Sequence, residues 1–219
     1  MNDKDVCPVN GETRAEEYVS ALTHGLGLVL SVIGIAVILV VCWRRGGPLH
    51  LTAHSVYGLG LVLCYLSSTL YHACTNVEWK HRLRVLDHAA IFVVIAATYT
   101  PFMMISLGNR LGYSVLGIVW VMAALGVLFK FYSKSAYSGV TVLAYLAMGW
   151  MVLVVAGPLA ASLPGQGMAW LVSGGVAYTA GIGFYAWTAL PFNHAIWHLF
   201  VMAGSICHYF SLLFSVAPW

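Results

Sequence analysis

Seven apolar stretches follow one another along this chain, at approximately 19–42, 50–74, 86–107, 112–132, 137–160, 167–189 and 194–216. About 20 mostly apolar residues in a helix are enough to cross the hydrocarbon core of a bilayer. A spanning segment has no water to satisfy its peptide groups, so it must close its hydrogen bonds within itself. The expectation is therefore an all-α integral membrane bundle of seven transmembrane helices. Composition points the same way: 61% of the residues are hydrophobic and only 8% are charged, against about 25% charged in soluble domains. Residues 1–17 read as a polar tail and 18–219 as the seven-helix domain. The breaks between stretches are short and carry turn formers, such as Gly46-Gly47-Pro48, Gly108-Asn109-Arg110 and Pro164-Gly165-Gln166-Gly167. They leave no room for a soluble domain. The stretch after the tail is too long for a secretory leader, so it is expected to be the first span.

The cations set the expected orientation. Lys4, Arg14, Lys80, Arg82, Arg84, Lys130 and Lys134 fall on the side of the N-terminus, and Arg44, Arg45 and Arg110 on the other. An excess of Lys and Arg marks the cytoplasmic face. The N-terminus is predicted to be cytoplasmic and the C-terminus, ending at Trp219, outside. Scattered singly and in small groups, these cations form no nucleic-acid patch. The five cysteines contain no C-x-x-C pair and read as packing residues.

Ionisable side chains inside a bilayer are rare, and where they occur they are usually functional. This topology brings several to one face. His24 lies near the start of the first span, His72 ends the second, Asp87 and His88 open the third, and His194 and His198 open the seventh. A spacing of four puts His194 and His198 on one helical face, one turn apart. Asn193, after Pro191, is the expected N-cap of that helix. His50 and His54 share the spacing but fall on the outer side, where they are expected to be interfacial. His208, about 15 Å further along the helix than His198, reads as a packed histidine, and His81 as a solvated loop residue.

Three protein ligands and an open fourth position are the usual arrangement of a catalytic zinc site. His72, His194 and His198 supply three. Zinc in such a set lowers the pKa of a bound water to about 7. Asp87 is the nearest carboxylate and the candidate proton acceptor. Ser68, one turn before His72 on the same face, could hydrogen-bond the water or a substrate carbonyl. At headgroup level, such a site is placed to act on an amide or ester of a membrane lipid.

The same residues carry a resemblance. Glu17-Tyr-Val-Ser20-Ala-Leu-Thr-His24, Ser68-Thr-Leu-Tyr-His72 followed by Asp87, and His194-Ala-Ile-Trp-His198 match in order three motifs of the progestin and adipoQ receptor superfamily. The chain looks most like its hemolysin III branch, and Thr98-Tyr99-Thr100-Pro101-Phe102 also looks like the family. Ser20 stands where the family often has Asn. The resemblance implies a seven-helix bundle with one Zn2+ on His72, His194 and His198, and Ser68 and Asp87 beside it. In the animal receptors such a site is linked to hydrolysis of lipid amides. The branch name suggests a cytolysin, but a secreted pore-former needs a soluble form, which a chain made almost wholly of spans lacks.

A zinc-dependent hydrolase of a lipid amide or ester, serving membrane-lipid homeostasis, is the first expectation. The alternative is a receptor-like or signalling protein with a structural zinc and no turnover. A channel is disfavoured because the ionisable groups gather at one face instead of lining a path. The expected location is the cell membrane, the inner membrane if the chain is bacterial, and a membrane lipid is the expected partner. Glycine-rich faces such as Gly175 to Gly183 permit close packing, within one chain or in a homo-oligomer.

Overall fold

The computed structural model describes residues 6–133 and 139–218; Lys4, Lys134 and Trp219, named above, lie outside them. Eight helices follow in order: α1 (Arg14–Arg45), α2 (Pro48–Ala73), α3 (Val77–Pro101), α4 (Arg110–Ser133), α5 (Gly139–Trp150), α6 (Ala156–Ser162), α7 (Gly165–Ala186) and α8 (Asn193–Ser215). A π-helical turn, Phe102–Leu107, prolongs α3, and a 3-10 stretch, Met151–Val155, joins α5 to α6. Helices α5 and α6 thus form one broken rod, and the described residues make seven rods. Six rods are long and apolar enough to cross a membrane. The seventh, α7, is 22 residues long; glycines, Tyr178 and Thr179 dilute its apolarity.

The packing follows from having lipid outside instead of water. Helix α1 turns Leu22, Leu26, Val29, Ile33, Val37 and Val40 outward, and buries Ser20, His24, Gly27, Ser31 and Cys42. Lipid is as apolar as leucine, so helices gain most from small and polar contacts between them. Helix α2 packs along α1 and α3, and α8 along α1 and α7, whereas α5 touches α3, α4 and α7 only lightly. Between α2 and α3 the backbones are close: a Cβ added at Gly60 would lie 2.5 Å from Ala97 Cβ. Gly60→Leu should therefore destabilise the bundle by about 1–3 kcal/mol. Thermal unfolding in detergent would measure it, and an unshifted transition would mean that α2 and α3 can part.

Two helix starts differ from the sequence expectation. Helix α3 begins at Val77, with the Asn76 side chain accepting from Trp79 N at 3.1 Å. Lys80, Arg82 and Arg84, which lie between the second and third apolar stretches, and His81, expected in a loop there, are thus helical. Lys80 and Arg84 are buried because they have partners inside the protein. Asn193 is the first residue of α8 and not its cap. Its Nδ2 donates to the carbonyls of Phe184 (3.3 Å) and Tyr185 (3.1 Å) at the end of α7. The cap position falls to Phe192, whose φ is 58° and whose N–H donates to Glu16 Oε1 at 2.9 Å. The acceptor thus comes from α1, which closes the α7–α8 turn against it.

Candidate metal centre

His72, at the end of α2, and His194 and His198, on the first turns of α8, meet at the end of the bundle that holds the N-terminus. Each offers one ring nitrogen to a group whose atoms all lie within 4.8 Å of one another. Their Nε2 atoms are buried and have no hydrogen-bond partner. A buried polar atom without a partner costs free energy, and a cation held among the three rings would supply one. The other ring nitrogen of each is engaged. His72 Nδ1 donates to Glu17 Oε2 at 2.9 Å. His198 Nδ1 lies 3.2 Å from Ser20 O and 3.1 Å from Thr23 Oγ1, which has spent its own proton on Ser20 O. His194 Nδ1 is 3.3 Å from Glu12 Oε1. The acceptors at His72 and His198 Nδ1 hold the ring proton there and leave Nε2 as a bare lone pair, the form that binds a metal; Glu12, at ion-pair distance from His194 Nδ1, favours the same state in the third ring. Three imidazoles in this state fit zinc or a similar borderline cation.

Helix α1 offers no ligand to this trio but supplies most of the groups that orient it. Its first turn is set by a capping box in which Thr13 Oγ1 accepts from Glu16 N and Glu16 reaches back to Thr13 N. Glu17 is then turned inward. Its Oε2 takes both His72 Nδ1 and Lys80 Nζ at 2.9 Å, and its Oε1 takes Asn10 Nδ2 at 2.9 Å. Lys80 Nζ also donates to Tyr71 O at 2.9 Å and Cys74 O at 3.2 Å, at the end of α2. Glu12 lies before α1, where burial pushes its carboxyl up to about 7 against the pull of His72.

The other expected residues are close by. Asp87 is buried near the Ser68 hydroxyl and His72. Ser68 Oγ is 2.6 Å from His24 Nδ1, a partner not foreseen for it. His24 is stacked on His198, with ring centroids 3.4 Å apart. It belongs to the site without joining the metal-ligand group. His54 bonds back to His50 O at 2.9 Å and touches Cys42 Sγ at 3.5 Å. Among the described residues the outer pair gathers no third ligand. His208 Nε2 donates to Leu171 O at 3.1 Å, as a packed histidine would.

A cavity of about 220 Å³ runs from this site into the bundle. His24 and Asp87 line it, and beyond them its wall is mostly apolar, including Ile91, Phe102, Leu159 and Val201. It lies where α5 packs loosely, beside the break in the fifth rod. Tyr99 Oη holds that break, at 2.9 and 2.8 Å from the Met148 and Gly149 carbonyls and accepting from Val152 N at 2.7 Å. Peptide groups freed by a broken helix are tolerated at membrane depth when buried in protein or lining a cavity.

Comparison with known proteins adds an independent line. The sequence profile of a family described as Haemolysin-III related matches residues 13–209. The chain is 40% identical to Hemolysin-3 of Bacillus cereus over 203 residues, 93% of each chain. It is also 40% identical to a Hemolysin-3 homolog of Bacillus subtilis over 202 residues, 92% of this chain and 95% of that one. The Monocyte to macrophage differentiation factor of Homo sapiens is 30% identical over 220 residues, covering 94% of this chain and 87% of the human one.

Proposed function

Because this chain belongs to the haemolysin-III-related family and is a multi-pass membrane protein, we propose that it is a zinc-dependent hydrolase of a membrane-lipid amide or ester. One observation carries the reading: three buried histidines whose ring nitrogens can share one ion, each with a partnerless Nε2, stand next to His24 and Asp87, which line an apolar cavity. When bound there, zinc supplies Lewis-acid activation of water and of a carbonyl at neutral pH.

The chain's own residues do the rest. His72, His194 and His198 hold the ion, with their protons kept on Nδ1 by Glu17, Glu12 and the Ser20–Thr23 turn. Asp87 takes the proton of the attacking water and returns it to the leaving group. Ser68, held by His24, orients the scissile carbonyl. The apolar cavity takes the acyl chain and keeps bulk water from the reacting end. The excess of Lys and Arg on the N-terminal side supports a site at the cytoplasmic face, within reach of inner-leaflet lipids.

The freshly purified protein should contain about one zinc per chain, and His194→Ala or His72→Ala should remove it. Elemental analysis makes the measurement, and wild-type protein without zinc would overturn the reading. A second reading, zinc as a structural tie between α2 and α8 without turnover, draws on the fact that Ser68 already has a protein partner in His24.

A further inference from the structure

His194 is oriented differently from the other two histidines. The partners of His72 and His198 come from α1 itself. The carboxylate facing His194 Nδ1 comes from the short segment before α1, and that segment is built for the purpose. Val6 and Thr13 pair in antiparallel fashion. Cys7 N donates to Glu12 O at 2.7 Å, and Gly11 N to Cys7 O at 2.9 Å. Gly11 takes a φ of +80°, which closes the reversal and suits glycine. Two further bonds dock the segment on the bundle: Arg84 Nη1 donates to Val9 O at 2.6 Å, and Asn10 Nδ2 to Glu17 Oε1 at 2.9 Å. Val9 is buried beneath it. Asn10 Oδ1 in turn accepts from Glu12 N at 3.2 Å. The result is a strap across the end of the bundle, with Glu12 directed inward. Glu12 Oε2 is buried with no hydrogen-bond partner, 3.9 Å from His72 Nδ1. A carboxylate in that state is expensive unless a positive centre lies beside it.

We propose that Glu12 is a positioning residue of the metal centre, orienting His194, and that the strap of residues 6–13, folded over this end of the bundle, slows loss of the ion. The proposal rests on the metal-site reading above. Carboxylate–histidine–metal pairs of this kind set ring orientation and ligand basicity, and losing the carboxylate typically costs 10–100-fold in metal affinity. Glu12 also stands close to Glu17 and His72 in a second group that could hold a cation; the role proposed for it is through His194, whose Nδ1 it faces.

The test uses the full-length protein in detergent, with zinc affinity measured by chelator competition and zinc loss by the rate of chelator stripping. Glu12→Gln keeps the size and one acceptor but loses the charge, and should weaken zinc about 10–100-fold. Glu12→Asp should recover part of that loss, which a purely space-filling role would not allow. Gly11→Ala lies away from every ligand. It strains the reversal and should speed stripping, keeping the idea testable if Glu12→Gln fails to fold. Wild-type affinity and stripping rate in Glu12→Gln or Gly11→Ala, alongside zinc loss in His194→Ala, would overturn this proposal alone. Wild-type protein that holds no zinc would overturn it together with the reading it rests on.

Discussion

Asp87→Asn should leave zinc bound and slow lipid turnover by roughly 10²–10⁴-fold, the usual contribution of a positioned general base. The physical case rests on where the carboxylate sits. It is buried beside Ser68 and close to His72, and it lines the apolar cavity together with His24, the ring stacked on His198. Asparagine keeps the shape and the hydrogen-bonding capacity but cannot take a proton. Metal content should be unchanged, because Asp87 is not among the grouped ligands. Release of fatty acid from a panel of lipid amides and esters, normalised to bound zinc, makes the measurement. A variant that keeps its zinc and its wild-type turnover would remove Asp87 from the chemistry. Wild-type protein that holds zinc and turns over no lipid in the panel would favour the structural tie instead.

The largest stability effect is expected at Lys80. Its side chain is 4% exposed and meets Glu17, 9% exposed, at 2.9 Å. Removing one partner of a buried ion pair leaves the other charge uncompensated, at a cost of about 3–5 kcal/mol. Lys80→Met should therefore unfold the protein at markedly lower denaturant concentration. It should also loosen zinc, because Glu17 Oε2 is the acceptor for His72 as well. The double variant Glu17→Gln/Lys80→Met should lose less than the sum of the two single changes, since the residues share one network. Additive losses would mean that the pair is screened and the coupling absent.

Lys80 also shows how far linear reasoning reaches. In the sequence it is one of three cations in a polar run, and its sign serves the orientation argument. Nothing in the local pattern says that it is buried. Burial depends on Glu17, on another helix, and on the Tyr71 and Cys74 carbonyls at the end of α2 lying within reach of the same nitrogen. Asn193 gives the opposite case. Its position after Pro191 has the local signature of a helix cap, yet the open carbonyls of α7 compete for the side chain and win. Glu16 then satisfies Phe192 N–H from a distant part of the chain. His24 and Ser68 were legible as neighbours of the site, but not as partners of each other. Glu12 carries no signal in the sequence: a carboxylate in a polar tail has the pattern of a solvated residue, and only the turn at Gly11 directs it inward.

What the sequence determined alone is the class of solution and the depth of the chemistry. Apolar runs of bilayer length force helices, because a peptide group in lipid has no other way to be satisfied. With the crossings in order, His24, His72, Asp87, His194 and His198 must come to one end of the bundle, whatever the packing. The tertiary structure decided what depends on angles and on contacts between distant segments. It decided which ring nitrogen of each histidine is left without a partner, which carboxylate, carbonyl or hydroxyl faces the other, and that an apolar cavity opens beside a break in the fifth rod. Depth in a membrane follows from counting residues along the chain. Convergence of three lone pairs requires helices α1, α2 and α8 to be rotated about their own axes so that these faces meet, and only the packed bundle sets that rotation.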